Sequence, residues 1–394
     1  MPLSHFRQAP KLAAHLRNVV QPGPYPERLD ALFSQQMARD ALSEISQWPG
    51  YAPTPLRSLD KLAGALGLGE VLYKDESQRF DLGSFKALGG AYAVLRLLSD
   101  KLGVSTSELR AGAAHDAAAQ ITVTTATDGN HGRSVAWGAR QAGCKCRIYV
   151  HKDVSENRAA AMTELGAELV RTTGTYDDSV RQCAAESAQN GWFVVSDTSY
   201  EGYLNVPRQV MAGYTALASE VMEQAEGPVT HIFLQAGVGG MAAAVAARYW
   251  MEHGAALPRI VIVESEYAAC FLKSAKQGRA AKVRIRHETV MAGMSCGEVS
   301  VVAWEILRRT AGHFVTIADS TVAPAMRMLA SGVAGGGEIE AGECSVAGPV
   351  ALIAAACDQN LRESMQLDGE SRVLLIGTEG ATDRAIYDDL LKAV

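Results

Sequence analysis

The most reactive amine that the sequence offers is Lys86, in the stretch from Asp81 to Tyr92. Phe85, Leu88, Tyr92 and Leu95 fall three and four apart, which predicts a helix starting just after Gly83-Ser84, with Lys86 in its first turn. The face carrying Lys86 continues through Gly89, Gly90 and Ala93, so the lysine stem is expected to look onto open space where a flat group could lie. A helix N-terminus is the positive end of the dipole, and burial also disfavours an ammonium; both should lower the amine's pKa. Such an amine suits Schiff-base chemistry. The plainer reading is a surface lysine beside a glycine-tolerant helix contact.

Three further loops offer partners for that amine. Ala126 to Gly132 follows an apolar strand and supplies Asp128, Asn130 and two glycines, either as a ligand loop at a strand's carboxyl end or as a capping turn. Leu234 to Ala242 reads as strand, glycine turn and alanine-rich helix, so the backbone N–H groups of Gly237, Val238, Gly239, Gly240 and Met241 form an anion cradle suited to phosphate. The same letters satisfy Gly-x-Gly-x-x-Ala, with Glu264 closing the next strand as a nicotinamide dinucleotide site requires. That reading leaves Lys86, the Asp128–Asn130 loop and the C-terminal Gly377–Thr382 segment unused, whereas a phosphorylated aldehyde cofactor uses all four.

The elements that must position these residues form two alternating series. Strands are predicted at 121–125, 147–150, 168–171 and 192–195, with helices between, and again at 231–234, 260–263, 314–317 and 373–376. Val71 to Asp75 is a further strand, feeding the loop before Lys86, and Gly335–Gly337 reads as a local flexible loop. The fold class is α/β, with two open twisted, mostly parallel sheets flanked by helices and the ligand between them. Residues 1–88 and 199–394 are expected to form a large domain, and residues 89–198 a small inserted one. Residues 1–50 read as an arm without chemistry. Asp128 and Asp197 end neighbouring strands of the small series and so overhang the same side, unless each caps its own following segment.

A chain of 394 residues has a large core available. Its net charge of −6 and pI near 5.9 argue against nucleic acid or an anionic membrane as the main partner. No apolar run reaches transmembrane length and the N-terminus has no signal-peptide core, so a cytoplasmic protein is expected. Seven scattered cysteines without Cys-x-x-Cys suggest neither zinc nor a disulfide framework, and no metal site is expected. Cys144, Cys146 and His151 are better read as flanking a buried strand.

Ser84-Phe85-Lys86, Asp128 to Gly132 and Gly237 to Gly240, in this order, resemble the tryptophan-synthase-β-type (fold type II) pyridoxal-phosphate enzymes, from Thr54 to Thr378. Within that family the pattern is most similar to the diaminopropionate ammonia-lyase group. The likeness lies in Ala52 to Leu59, Gly83 to Tyr92, Thr127 to Gly132, Asp197 to Tyr203, Met291 to Glu298 and Gly377 to Asp383. Two departures are a less glycine-rich loop at Gly237–Met241 and Cys344 where a serine is expected.

The resemblance implies pyridoxal 5'-phosphate joined to Lys86 against Phe85. Asn130 would face its phenolate oxygen, Gly237 to Met241 its phosphate and Thr378 its pyridine nitrogen. Ser84, Met294 and Ser295 would meet the substrate. The implied reaction is α,β-elimination of ammonia from 2,3-diaminopropionate by a homodimer, with Lys86, Asp128 and Asp197 as the acid–base and substrate-binding groups. A serine, threonine or hydroxyaspartate dehydratase and a catalytically silent binding protein are the alternatives.

Overall fold

The structure is a computed structural model and describes residues 2–127 and 129–392. Its strands are β1 (Ala14–Arg17), β2 (Leu56–Ser58), β3 (Glu70–Asp75), β4 (Thr122–Ala126), β5 (Lys145–Val150), β6 (Glu168–Arg171), β7 (Phe193–Val194), β8 (His231–Gln235), β9 (Arg259–Ser265), β10 (Ala311–Ile317) and β11 (Arg372–Gly377). Seven make one sheet in the order β1-β10-β9-β8-β11-β3-β2, and four make a second in the order β6-β5-β4-β7. Every pairing is parallel except at the two edges of the large sheet, where β1 and β2 run antiparallel.

The large sheet is buried on both faces, as continuous Val/Ile/Leu strands require. Along β9, Ile260 and Ile262 join one apolar core while Val261 and Val263 join another. Along β11, Leu374 and Ile376 face the first and Val373 and Leu375 the second. Period-two alternation thus sends neighbouring residues to opposite cores. The smaller sheet arises wholly from the chain between β3 and β8, as the two series predicted.

The helix Lys86–Leu102 packs on helices Asn130–Ala142 and Asn205–Gln224. Here the structure corrects the sequence reading. The face through Gly89, Gly90 and Ala93 is not open. A Cβ on Gly89 would fall 2.3 Å from Cε1 of Tyr214, and one on Gly90 would fall 2.5 Å from Oγ of Ser134. The missing side chains let two helices come close, and only the lysine itself is left to face a cavity.

The segment between β3 and Lys86 is held by a buried charge network. Lys74 Nζ lies 2.6 Å from Glu220 Oε2, Arg79 Nη2 lies 2.7 Å from the same oxygen, and Arg79 Nε lies 2.8 Å from Glu76 Oε2. Two cations balance two anions, all of them buried. Two other expectations change. Part of the N-terminal arm is β1, which pairs with β10 from Ala14–Thr316 to Arg17–His313. The Gly335–Gly337 loop is closely packed: a Cβ on Gly335 would meet Asp60 Oδ1 at 2.0 Å.

Candidate active site

The carboxyl ends of parallel strands from both sheets face one cleft, which encloses about 1120 Å³ of empty space, its open mouth included. Lys86 enters it as the first residue of its helix. Its loop is stitched to the end of β11: Phe85 N–H donates to Thr378 O at 3.0 Å, Gly380 N–H donates to Gly83 O at 3.0 Å, and Ser84 bridges to Glu379. That stitching puts Lys86, Thr378 and Glu379 side by side.

Lys86 Nζ lies 2.5 Å from Asp197 Oδ2, with side chains 20% and 17% exposed. It also lies 5.4 Å from the Phe85 ring centroid and 5.9 Å from that of Tyr214. Burial works against the Lys86 charge, but the Asp197 carboxylate outweighs it, so the amine's pKa is raised. The lowered pKa expected from the sequence is thereby overturned: the helix-start argument did not include a carboxylate arriving from β7. Burial likewise works against the Asp197 anion, and the Lys86 and His131 charges hold it well below the usual carboxylate range. A contact this close between opposite charges favours both ionised forms.

Of the residues singled out by sequence, Phe85, Lys86, Asn130, Asp197, Gly237 to Met241, Met294, Ser295 and Thr378 all line the cleft. Asp128 lies outside the described residues. Ser84 is buried behind the wall, in its bridge with Glu379, and is not among the lining residues. Asn130 begins its helix and donates from Nδ2 to Glu379 Oε2 at 2.5 Å. Thr378 Oγ1 lies 3.3 Å from Ser345 Oγ and 3.4 Å from Gln235 Nε2. Ser295 Oγ donates to Glu288 Oε2 at 2.5 Å.

Several lining residues carried no sequence signal as site residues. Glu343 stands beside Glu379 and pairs with Arg158 Nη2 at 2.9 Å; burial, and then the Glu379 charge, push its carboxyl up to about 7. The Nε2 atom of His131 is 2.9 Å from Val195 O, and burial lowers this imidazole's pKa. The signal available for Glu379 and His131 was their position inside motifs already noticed, Thr378-Glu379-Gly380 and Asn130-His131-Gly132.

The lining fits pyridoxal phosphate. Gly239 has φ +90°, and a Cβ there would fall 2.2 Å from Phe271 Cζ, so the turn demands glycine. At Gly240 a Cβ would meet nothing nearer than 3.7 Å, an ordinary contact distance, so this position makes no comparable steric demand. The first-turn N–H groups of helix Gly240–His253 have no acceptor within the helix and suit an anion. Glu264, by contrast, accepts the N–H groups of Phe271 and Leu272 at 2.7 Å each, so it caps a helix and is not free to hold a ribose.

The chain belongs to the family described as pyridoxal-phosphate dependent enzymes, whose model matches residues 47–379. Its cofactor is accordingly pyridoxal phosphate. Within that family it is similar to diaminopropionate ammonia-lyase of Escherichia coli (strain K12), which is 40% identical over 367 residues, 91% of this chain and 92% of the relative. A crystal structure of that lyase from Escherichia coli, in complex with an aminoacrylate-PLP azomethine reaction intermediate, matches with a TM-score of 0.87 at 37% identity and covers 98% of each chain. A probable D-serine dehydratase of Rhizobium etli (strain CIAT 652) is more distant, at 26% identity over 318 residues, 73% of this chain and 69% of that protein.

Proposed function

We propose that the chain removes one ammonia from 2,3-diaminopropionate by α,β-elimination to give aminoacrylate, whose imine form is hydrolysed by water to pyruvate and a second ammonia. The observation that carries the reading is the Lys86–Asp197 pair at 2.5 Å in the cleft, on a chain that aligns with the lyases over nearly its whole length. The bound cofactor supplies the electron sink. Lys86 anchors it, and once free its amine moves the proton at Cα. Asp197, and Asp128 with it, supplies the anion that a second substrate ammonium needs once it leaves bulk water for the cleft; a hydroxy-amino acid has no such need.

In the same reading Asn130 donates to the phenolate oxygen, Thr378 faces the pyridine nitrogen, Phe85 packs on the cofactor and Gly237 to Met241 cradle its phosphate. Met294 and Ser295 border the substrate. Residues 1–88 with 199–394 act as the large domain and residues 89–198 as the small one, and the protein works as a cytoplasmic homodimer. No described helix is long and apolar enough to cross a membrane.

Stoichiometry tests the reaction. The 2-oxo acid (pyruvate, or 2-oxobutyrate from threonine) and ammonia are measured from D- and L-2,3-diaminopropionate, serine and threonine. Elimination from the diamino acid releases two ammonia per pyruvate, and serine releases one. Faster turnover of serine or threonine than of either diaminopropionate isomer would overturn the assignment in favour of a dehydratase.

A further inference from the structure

Asn130 carries a carboxamide, whose two ends, an N–H donor and a carbonyl acceptor, have nearly the same shape. Nothing in its own covalent structure decides which end faces a ligand. In this chain the choice is made by a neighbour. Glu379, buried with 6% of its surface exposed, has its two carboxylate oxygens met by two donors. Cys344 N–H donates to Oε1 at 3.2 Å, and Asn130 Nδ2 donates to Oε2 at 2.5 Å. The backbone of Glu379 is fixed as well: its N–H donates to Ser345 Oγ at 2.7 Å, and its carbonyl accepts from Ser345 Oγ at 2.6 Å.

A carboxylate can only accept, so the Asn130 nitrogen, not its oxygen, must point toward Glu379. A flipped amide would bring two oxygens into contact. With one N–H taken by Glu379, the second N–H on the same nitrogen remains to donate into the cleft that both residues line. We infer that Glu379 is a positioning residue: it locks the Asn130 carboxamide so that an N–H, and never the carbonyl, meets the phenolate oxygen of bound pyridoxal phosphate. The inference rests on the assignment of Asn130 to that oxygen made above. Glu379 does not touch the reacting atoms; it acts through Asn130 from the end of β11, whereas Asn130 begins a helix packed on the other sheet.

The test uses the full-length protein loaded with pyridoxal phosphate and four variants, N130A, E379A, E379Q and N130A/E379A. Two quantities are read: the visible absorbance maximum of the bound cofactor and its dissociation constant. N130A and E379A are each expected to weaken cofactor binding about tenfold and to move the absorbance maximum in the same direction. The double variant should stay within about twofold of either single one, because residues acting as a unit do not add. E379Q, with one acceptor oxygen for two donors, should fall between wild type and E379A. If E379A does not fold, E379Q in the wild-type and N130A backgrounds answers the same question. Additive effects, or an E379A protein with wild-type absorbance and affinity, overturn the inference. N130A without any effect overturns the Asn130 assignment itself, and the inference with it.

Discussion

Lys86 and Asp197 hold each other charged, which creates a requirement at the residue scale: a Schiff base forms only from the neutral amine. In wild type the amine's pKa is raised by Asp197 against the pull of burial. Capture of pyridoxal phosphate by cofactor-free protein should therefore speed up as pH rises, with no plateau near neutrality. In Asp197→Asn the attraction is lost and burial remains, so the amine's pKa falls and capture at neutral pH becomes faster and less dependent on pH. Turnover of diaminopropionate by the loaded variant should drop at least about tenfold, the equivalent of about 1.4 kcal/mol of transition-state stabilisation. Stopped-flow capture from pH 6 to 9 checks the first half. Superimposable profiles for wild type and variant would refute the electrostatic account of this pair.

At the scale of elements, the network of Lys74, Glu76, Arg79 and Glu220 fixes the segment that delivers Lys86. Glu220→Ala leaves two buried cations facing one anion, a loss of about 3–5 kcal/mol. Urea denaturation should report it, and a change below about 1 kcal/mol would show the network to be dispensable. A second device joins β1 to β10: His15 Nε2 lies 2.9 Å from His313 Nδ1. Burial, helped by the charges of His15, Arg17 and His231, pushes His313 down to about 4 from its ordinary 6.5. The unfolded chain therefore binds a proton that the folded one refuses. The stability contributed is complete above pH 6.5 and is lost as pH falls toward 4, by up to about 3 kcal/mol. His313→Phe should flatten this part of the stability–pH curve, measured by thermal melts across the window.

What was legible in the sequence follows from the same physics. β8 to β11 announced themselves because strands buried on both faces are unbroken apolar runs. β1 and β2, at four and three residues, are too short to show a period and are held mainly by an already formed edge. Nothing in the sequence around Lys74 marks it as a buried charge, because Glu220, which neutralises it, lies far along the chain. The glycine turn beginning at Gly237 stood out because its backbone geometry demands glycine at Gly239, and Lys86 and Asn130 stood out through the chemistry of their side chains beside glycines at predicted helix starts. Glu343, Arg158 and Gln235 gave no sign, since only tertiary folding assembles them.

At the scale of the whole molecule, the site belongs to neither sheet alone. Asn130 and Asp197 come from the ends of β4 and β7, and the Gly237 turn and Thr378 from the ends of β8 and β11. Because the strands bearing the site run parallel, their carboxyl ends gather on one side, where ligands of open α/β sheets collect. Among the described residues, direct contacts across the cleft include Asn130 Nδ2 to Glu379 Oε2 at 2.5 Å, Arg158 to Glu343 at 2.9 Å and Ser155 Oγ to Asp383 Oδ2 at 2.6 Å. A cofactor held from both sides should thus act as a strut. Removing pyridoxal phosphate should lower the melting temperature, and titrating it back should raise stability with the logarithm of its concentration, by about 2.7 kcal/mol at one hundred times its dissociation constant. On the proposed assignment, Lys86→Ala removes the covalent anchor but leaves the phosphate cradle and Asn130 in place. Its melting temperature should still climb with added cofactor, though only at higher concentrations, while lyase turnover is lost. A melting temperature that ignores pyridoxal phosphate in wild type would mean that the two sheets are joined by protein contacts alone, and that the cleft does not use the cofactor as a structural bridge.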